Sequence, residues 1–155
     1  MPISNINKLI GVIGGSWCSA EIAGLARQVG EGIARGGAAL ICGGRGGVMA
    51  AACEGAKAAG GLTIGILPGE SKAEANAFVD LKIVTGLLEA RNVIIARSAD
   101  ALIAINGGHG TLSEIAFGLK FGKTVIGLHL EFVVPGVRTA ATPAEAVQLA
   151  FQAIG

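Results

Sequence analysis

Three stretches of the chain join an apolar run to glycines: Gly14-Gly15-Ser16, Gly43-Gly44-Arg45-Gly46-Gly47 and Gly107-Gly108-His109-Gly110-Thr111. A glycine turn that opens a helix leaves several N–H groups without intrahelical partners and aims them at one spot, which is the chemistry of holding a phosphate or another anion. Glu114 follows the third stretch at the spacing Thr111-x-x-Glu114. That spacing fits a capping box, in which the carboxylate only ties down its own helix start. It also places a carboxylate beside whatever the turn binds, where it can serve as acid, base or cation stabiliser towards a sugar. The spacing does not choose between the two.

Arg91 is the second residue of interest. Leu87, Leu88, Ile94 and Ile95 are its three- and four-residue neighbours, so on a helix from Leu87 to about Ala99 it places a cation on an apolar stripe. Such an Arg either snorkels to water from the helix end or reaches a carboxylate or a ligand anion. Asn92 beside it can orient a ligand or cap nearby backbone. Arg45, inside the second glycine stretch, can clamp a phosphate with its forked guanidinium or remain a solvated loop residue. Trp17 can stack on a flat ring or pack over a helix start, and His109 reads as a loop-tip residue or an anion contact.

The elements that must position these residues follow from periodicity. Lys8–Ile13, Ala38–Cys42, Leu62–Leu67, Ala101–Ile105 and Thr124–Leu128 read as strands, and Leu81–Val84 as a further short one. Helices are predicted from Ser19 to about Arg35, with Ile22, Leu25, Ala26, Val29 and Ile33 as the buried stripe, and from Val48 to Ala59. A third runs from Leu87 to about Ala99. A fourth runs to Phe121-Gly122 with Leu112, Ile115, Ala116 and Leu119 on one face. The last opens at Thr142-Pro143-Ala144-Glu145, with Pro in the first turn and a capping Glu. Glu70–Phe78 reads as a surface loop with a helical turn, and the stretch around Val133-Pro135-Gly136 as irregular. Strands that are continuous apolar runs alternating with helices imply an α/β chain: a Rossmann-like three-layer αβα sandwich with a mainly parallel central sheet, over residues 1–155 as a single domain. In such sheets ligands lie beyond the carboxyl ends of the strands, the edge at which all three glycine turns fall.

Composition narrows the setting. Glycine supplies 26 of the 155 residues, against a usual share of about 7%, without a collagen period. Only 15% of residues are charged, below the roughly 25% of an average domain, so part of the surface is expected to face another copy in a homo-oligomer, dimer or tetramer. The net charge of +1 gives no electrostatic case for nucleic acid or a membrane surface. Cys18, Cys42 and Cys53 form no C-x-x-C pair and His109 and His129 lie far apart, so no metal site is expected, and a reduced cytoplasmic setting fits. Met1–Asn5 lacks the pattern of a signal peptide, and glycines and charges interrupt every apolar run before membrane-spanning length.

Familiar nucleotide motifs do not fit. Gly11–Ser16 is not G-x-G-x-x-G, and the second strand ends in Gly43-Gly44 where a dinucleotide site needs an acid for the ribose. Gly122-Lys123-Thr124 has Phe117 at the first glycine position of a P-loop and precedes a strand. No G-x-S-x-G elbow is present.

The run Gly107-Gly108-His109-Gly110-Thr111-Leu112-Ser113-Glu114 resembles the G-G-x-G-T-x-x-E signature of the LOG-like superfamily, whose members often carry the label "possible lysine decarboxylase". Ala90-Arg91-Asn92, Gly43–Met49 and Gly61–Gly69 fit the same pattern, in order and over almost the whole chain. The combination is most similar to the short branch that contains the molybdenum cofactor carrier protein. The resemblance implies a binder of a small phosphorylated ligand, with molybdopterin, the molybdenum cofactor or a nucleotide as that ligand and no cofactor otherwise required. Its alternative implication is a phosphoribohydrolase of the cytokinin riboside 5′-monophosphate type. There Arg91 and Glu114 would be the catalytic pair, and Gly108, Gly110 and Thr111 would hold the 5′-phosphate. Asn106 replaces the hydrolases' usual Pro and Asn92 their usual Lys, and both changes move the match towards the carrier branch. No Lys stands in a pyridoxal-phosphate context, so lysine decarboxylation has no support.

Overall fold

In the computed structural model, which describes residues 6–155, the apolar runs assemble into one seven-stranded sheet in which every pairing is parallel. The strands are β1 (Leu9–Gly14), β2 (Ala39–Cys42), β3 (Thr63–Leu67), β4 (Leu81–Val84), β5 (Ala101–Ile105), β6 (Thr124–Leu128) and β7 (Arg138–Ala140), in the order β4-β3-β2-β1-β5-β6-β7. The helices are α1 (Ala20–Arg35), α2 (Val48–Ala58), α3 (Arg91–Ser98), α4 (His109–Lys120) and α5 (Pro143–Ile154). Side chains alternate across the central strands. Ile10, Val12, Ala101, Ile103 and Ile105 pack under α1, α2 and α5, whereas Ile13, Leu102 and Ala104 pack under α3 and α4. The result is the expected three-layer αβα arrangement, buried on both sheet faces.

Strand order reverses at β1, which pairs with β2 on one side and β5 on the other, with Gly14 opposite Ile105. Chains leaving β1 and β5 at their carboxyl ends turn to opposite faces of the sheet, and a crevice opens between them. The first and third glycine stretches leave these two strands, and the second leaves the neighbouring β2.

Local chemistry sets the helix ends. Ser19 Oγ accepts the Ile22 N–H at 3.2 Å and opens α1. Thr142 Oγ1 accepts the Glu145 N–H at 3.1 Å, and the Glu145 carboxylate accepts the Ala141 N–H at 3.0 Å. The Glu70–Phe78 stretch holds one 3₁₀ turn, Lys72–Glu74, as its loop reading allowed.

Three details differ from the sequence reading. The third helix starts at Arg91, not Leu87, because Leu88 N–H is tied to Pro68 O at 2.9 Å and Gly86 N–H to Gly69 O at 2.9 Å, which holds residues 86–88 against the end of β3. A 3₁₀ turn, Leu88–Ala90, fills the interval, and Leu87 and Leu88 are exposed instead of forming a helix stripe around Arg91. Second, α4 starts at His109 and buries Thr111, Glu114, Ile115 and Gly118, so Leu112 and Ala116 face outwards. Third, β7 forms within the region after Leu128 that carries no strand pattern. It is three residues long and lies at a sheet edge, so ladder bonds to β6 make it rather than burial. Met1–Asn5 lies outside the described residues, and no helix among the described ones is long and apolar enough to cross a membrane.

Helices α1 and α2 touch backbone to backbone. A methyl at Gly30 would fall on the Ala52 carbonyl oxygen, and one at Gly55 on that of Arg27. Gly24, on the same helix as Gly30, faces open space. Gly30→Ala and Gly55→Ala are therefore expected to lower unfolding stability by about 1–3 kcal/mol through forced separation of the helices. Gly24→Ala is expected to raise it by roughly 0.4–1 kcal/mol, with chemical denaturation of the three variants as the check.

Candidate functional site

The turn from β5 into α4 is built on left-handed backbone. Asn106 (φ 52°) and Gly107 (φ 98°) reverse the chain. The Asn106 N–H donates to Leu128 O at 3.1 Å, and its side-chain amide to His129 O at 3.1 Å. Gly107 lies against Thr111, whose side chain fills the space a Cβ would need. Gly108 is the N-cap of α4, and no side chain caps this helix. Its first amides therefore stay available, and the helix dipole adds positive potential at the same place. Around Gly108 and Gly110 a Cβ would meet nothing within 4 Å. Internal packing does not demand glycine there, and the two positions keep the space over the amides open.

That space belongs to a cavity of about 460 Å³ at the carboxyl ends of the central strands, within the range of small-ligand sites. Of the residues singled out from the sequence, Gly14, Gly15, Ser16, Gly43, Arg45, Arg91, Asn92, Gly108, Gly110, Thr111 and Glu114 line it. Gly44, Gly46 and Gly107 stand behind the wall: Gly44 against Leu67 and Gly65, Gly46 beneath Ser16 O, and Gly107 against Thr111. His109 is an exposed first residue of α4, not a loop tip. Met49, Pro68 and Glu89, none of them among the expected site residues, also line the cavity. Met49, which reads as a packing residue, and Pro68, which ends a strand on the same sheet edge, fall in the runs Gly43–Met49 and Gly61–Gly69 that carry the family resemblance, whereas Glu89 has no sequence signal.

Arg91 enters from the start of α3. Its Nε donates to Ile66 O at 2.9 Å and its Nη1 to Asn92 Oδ1, so the guanidinium is held in orientation, and Gly43 leaves it room. Asn92 is 5% exposed and serves here as the acceptor that steadies Arg91.

Glu114 does not cap its helix. Because the N-cap of α4 is Gly108, three residues before Thr111, with the Leu112 N–H on Gly108 O at 3.0 Å, Thr111 is inside the helix and Glu114 too far along it to reach the N-cap. Glu114, 8% exposed, lines the cavity instead. Burial pushes its pKa up to about 8 from 4.5, and the charge of Arg91 only partly opposes the rise. Burial lowers the Arg91 pKa, with Glu114 opposing. The two feel one another without forming one of the three direct ion pairs among the described residues. Near neutral pH Glu114 is thus mostly a neutral acid, with an O–H to donate, and Arg91 a cation whose outward donors are free for an anion.

Beneath the second glycine stretch, Cys42 Sγ accepts the Gly44 N–H at 3.3 Å and lies 3.6 Å from Cys53 Sγ. Both thiols are buried, and they support the loop from below. Among the described residues no three His, Cys, Asp or Glu side chains gather as metal ligands.

The sequence pattern of the SLOG cluster4 family (LDcluster4) matches residues 7–152. An uncharacterized protein of Archaeoglobus fulgidus is 51% identical over 138 residues, 89% of this chain and 91% of that one. The cytokinin riboside 5′-monophosphate phosphoribohydrolase of Mycobacterium tuberculosis is 37% identical over 99 residues, 62% of this chain and 53% of the relative. Among solved structures, the molybdenum cofactor binding protein of the phototrophic bacterium Rippkaea orientalis superposes with a TM-score of 0.91 at 39% identity, covering 97% of this chain and 99% of that one. The molybdenum cofactor carrier protein of Chlamydomonas reinhardtii gives 0.85 at 37% identity, over 96% and 99%.

Glu114 also makes stability depend on pH. Its carboxyl holds a proton more tightly folded than unfolded, so the stabilisation is full below about pH 4.5 and is lost as pH rises towards about 8. Gln in its place stays neutral throughout. Thermal unfolding is expected to show Glu114→Gln gaining on the wild type between about pH 5 and pH 9, and a difference that does not change with pH would remove the buried-acid assignment.

Proposed function

The chain belongs to the SLOG cluster4 family of the LOG-like proteins, and on that premise we propose that it is a binding protein for a phosphate-bearing heterocycle, molybdopterin or a nucleotide, of the molybdenum cofactor carrier type. The observation that carries this reading is the uncapped start of α4 opening into the same cavity as Arg45 and Arg91. Amides at a helix start take phosphate oxygens, and forked guanidiniums take the remaining charge. A neutral Glu114 adds a donor without repelling the anion. The ligand is held by backbone and side chains together, and no bond needs to break. Two solved relatives whose names state binding or carriage of the molybdenum cofactor support this reading over nearly the full chain.

The second reading is hydrolysis of the N-glycosidic bond of a nucleoside 5′-monophosphate. It is favoured by the presence of Arg91 and Glu114 in one cavity and by the mycobacterial relative, which spans only part of this chain. In that reaction a carboxylate near the anomeric carbon stabilises an oxocarbenium-like transition state. Glu114 would have to give up its proton first, which burial disfavours. We further propose that the protein works as a homo-oligomer. Exposed apolar residues such as Leu81, Ile83, Leu87, Leu88 and Val133 support this, and light scattering of the purified protein reports it directly.

Incubation with AMP separates the two readings: the carrier reading expects AMP recovered intact by chromatography. Release of adenine and ribose 5-phosphate that stops in Glu114→Gln would establish the hydrolase instead. For binding, calorimetric titration with inorganic phosphate and AMP is expected to show about tenfold weaker affinity in Arg45→Ala and in Gly107→Ala, each removing charge-assisted contacts or their geometry. Gly24→Ala, remote from the cavity, should bind as the wild type does.

A further inference from the structure

Trp17 is the only tryptophan of the chain, which has no tyrosine and five phenylalanines. None of the aromatic residues lines the cavity. A flat heterocycle whose phosphate sits at the start of α4 would therefore meet Met49, Pro68, backbone and the guanidiniums that also serve the phosphate, but no aromatic face. Trp17 directly follows Ser16, the last cavity-lining residue of the loop after β1. This loop neighbours the phosphate cradle, because β1 and β5 pair with Gly14 opposite Ile105.

The backbone at Trp17 is fixed while its side chain is not packed. Gly47, with φ 61°, lies so close that a Cβ there would meet Ser16 C at 2.5 Å and Trp17 N at 2.6 Å, and the Val48 N–H donates to Gly15 O at 3.0 Å. The first and second glycine loops are thus locked together backbone to backbone. Yet the indole is 82% exposed and does not pack over the start of α1. An indole placed on a rigid stem and left in water is costly to leave uncovered, since a tryptophan ordinarily buries most of its large apolar surface.

Resting on the carrier reading above, we infer that Trp17 is a ligand-binding residue: its indole stacks on the heterocycle of the phosphorylated ligand and supplies the aromatic face that the cavity wall lacks. The phosphate cradle then fixes one end of the ligand and Trp17 the other. Stacking on a tryptophan tolerates many flat rings, so Trp17 selects for the presence of a ring and not for its hydrogen-bonding edge.

The single tryptophan makes the test direct. The probes are GMP, whose guanine shares the 2-amino-4-oxopyrimidine ring of pterins, and ribose 5-phosphate, which has the phosphate and sugar without a ring. GMP is expected to change the intrinsic fluorescence saturably, and ribose 5-phosphate to bind with little change. In calorimetry Trp17→Ala should weaken GMP about tenfold while leaving ribose 5-phosphate unchanged, and Trp17→Phe should retain most of the GMP affinity. Equal binding of GMP by Trp17→Ala and wild type would overturn the inference and leave the carrier reading standing. So would equal losses for both probes, which mark a structural role, and so would fluorescence that follows protein concentration instead of GMP, which marks contact with a second copy. Failure of the wild type to bind either probe would overturn the carrier reading and this inference together.

Discussion

The site depends on one constraint: three parallel strands must end side by side without side chains filling the space between their ends. β1 is the hinge of this arrangement, because strand order reverses there and leaves a crevice towards β5. The crevice remains a cavity because Gly14, Gly43, Gly108 and Gly110 line it. Gly43 yields room to Arg91, and Gly108 and Gly110 leave the amides of α4 bare. Most of the protein's apolar surface is then committed to holding the two sheet faces against the helices. The functional edge is left polar and rich in backbone donors.

Electrostatics at this edge follow from burial. Glu114 and Arg91 share a cavity, yet each is pushed towards its neutral form by desolvation, and their mutual attraction only partly opposes this. The outcome is asymmetric. The acid has moved close to neutrality at physiological pH, whereas a guanidinium stays charged. Arg91 is further steadied by Ile66 O and Asn92 Oδ1, acceptors that orient it without neutralising it. This arrangement is the basis of the proposed anion site, with donors from backbone, guanidinium and carboxylic acid on one wall. Glu89 at the cavity lining is the one acidic group that works the other way.

Much of this architecture was legible from residue types alone. Apolar runs without alternation, such as Ala101–Ile105, read as parallel strands covered on both faces, and the G-G-x-G-T-x-x-E resemblance pointed to the LOG-like proteins to which the chain belongs. Harder to read was the rotation of α4. Leu112 and Ala116 look like a core stripe, but the helix begins at His109 and turns Thr111 and Glu114 inwards, because Gly108 and not Thr111 is the N-cap. A glycine N-cap carries no side-chain signal, so the Thr111-x-x-Glu114 spacing leaves a capping and a cavity-facing Glu114 equally open. The start of α3 was hidden for a different reason: backbone bonds from residues 86 and 88 to the end of β3, remote in sequence, outweigh the helical pattern of Leu87-Leu88. β7 had no apolar signature because its residues are mostly exposed and owe their conformation to β6.

The central claim is that the start of α4, Arg45 and Arg91 form one anion-binding site. A crystal structure of the protein with AMP tests it most directly. The account predicts the phosphate against the amides of residues 109–111, with the guanidinium of Arg91 turned towards the ligand. Ordered AMP bound elsewhere on the surface, with these amides facing only water, would contradict it.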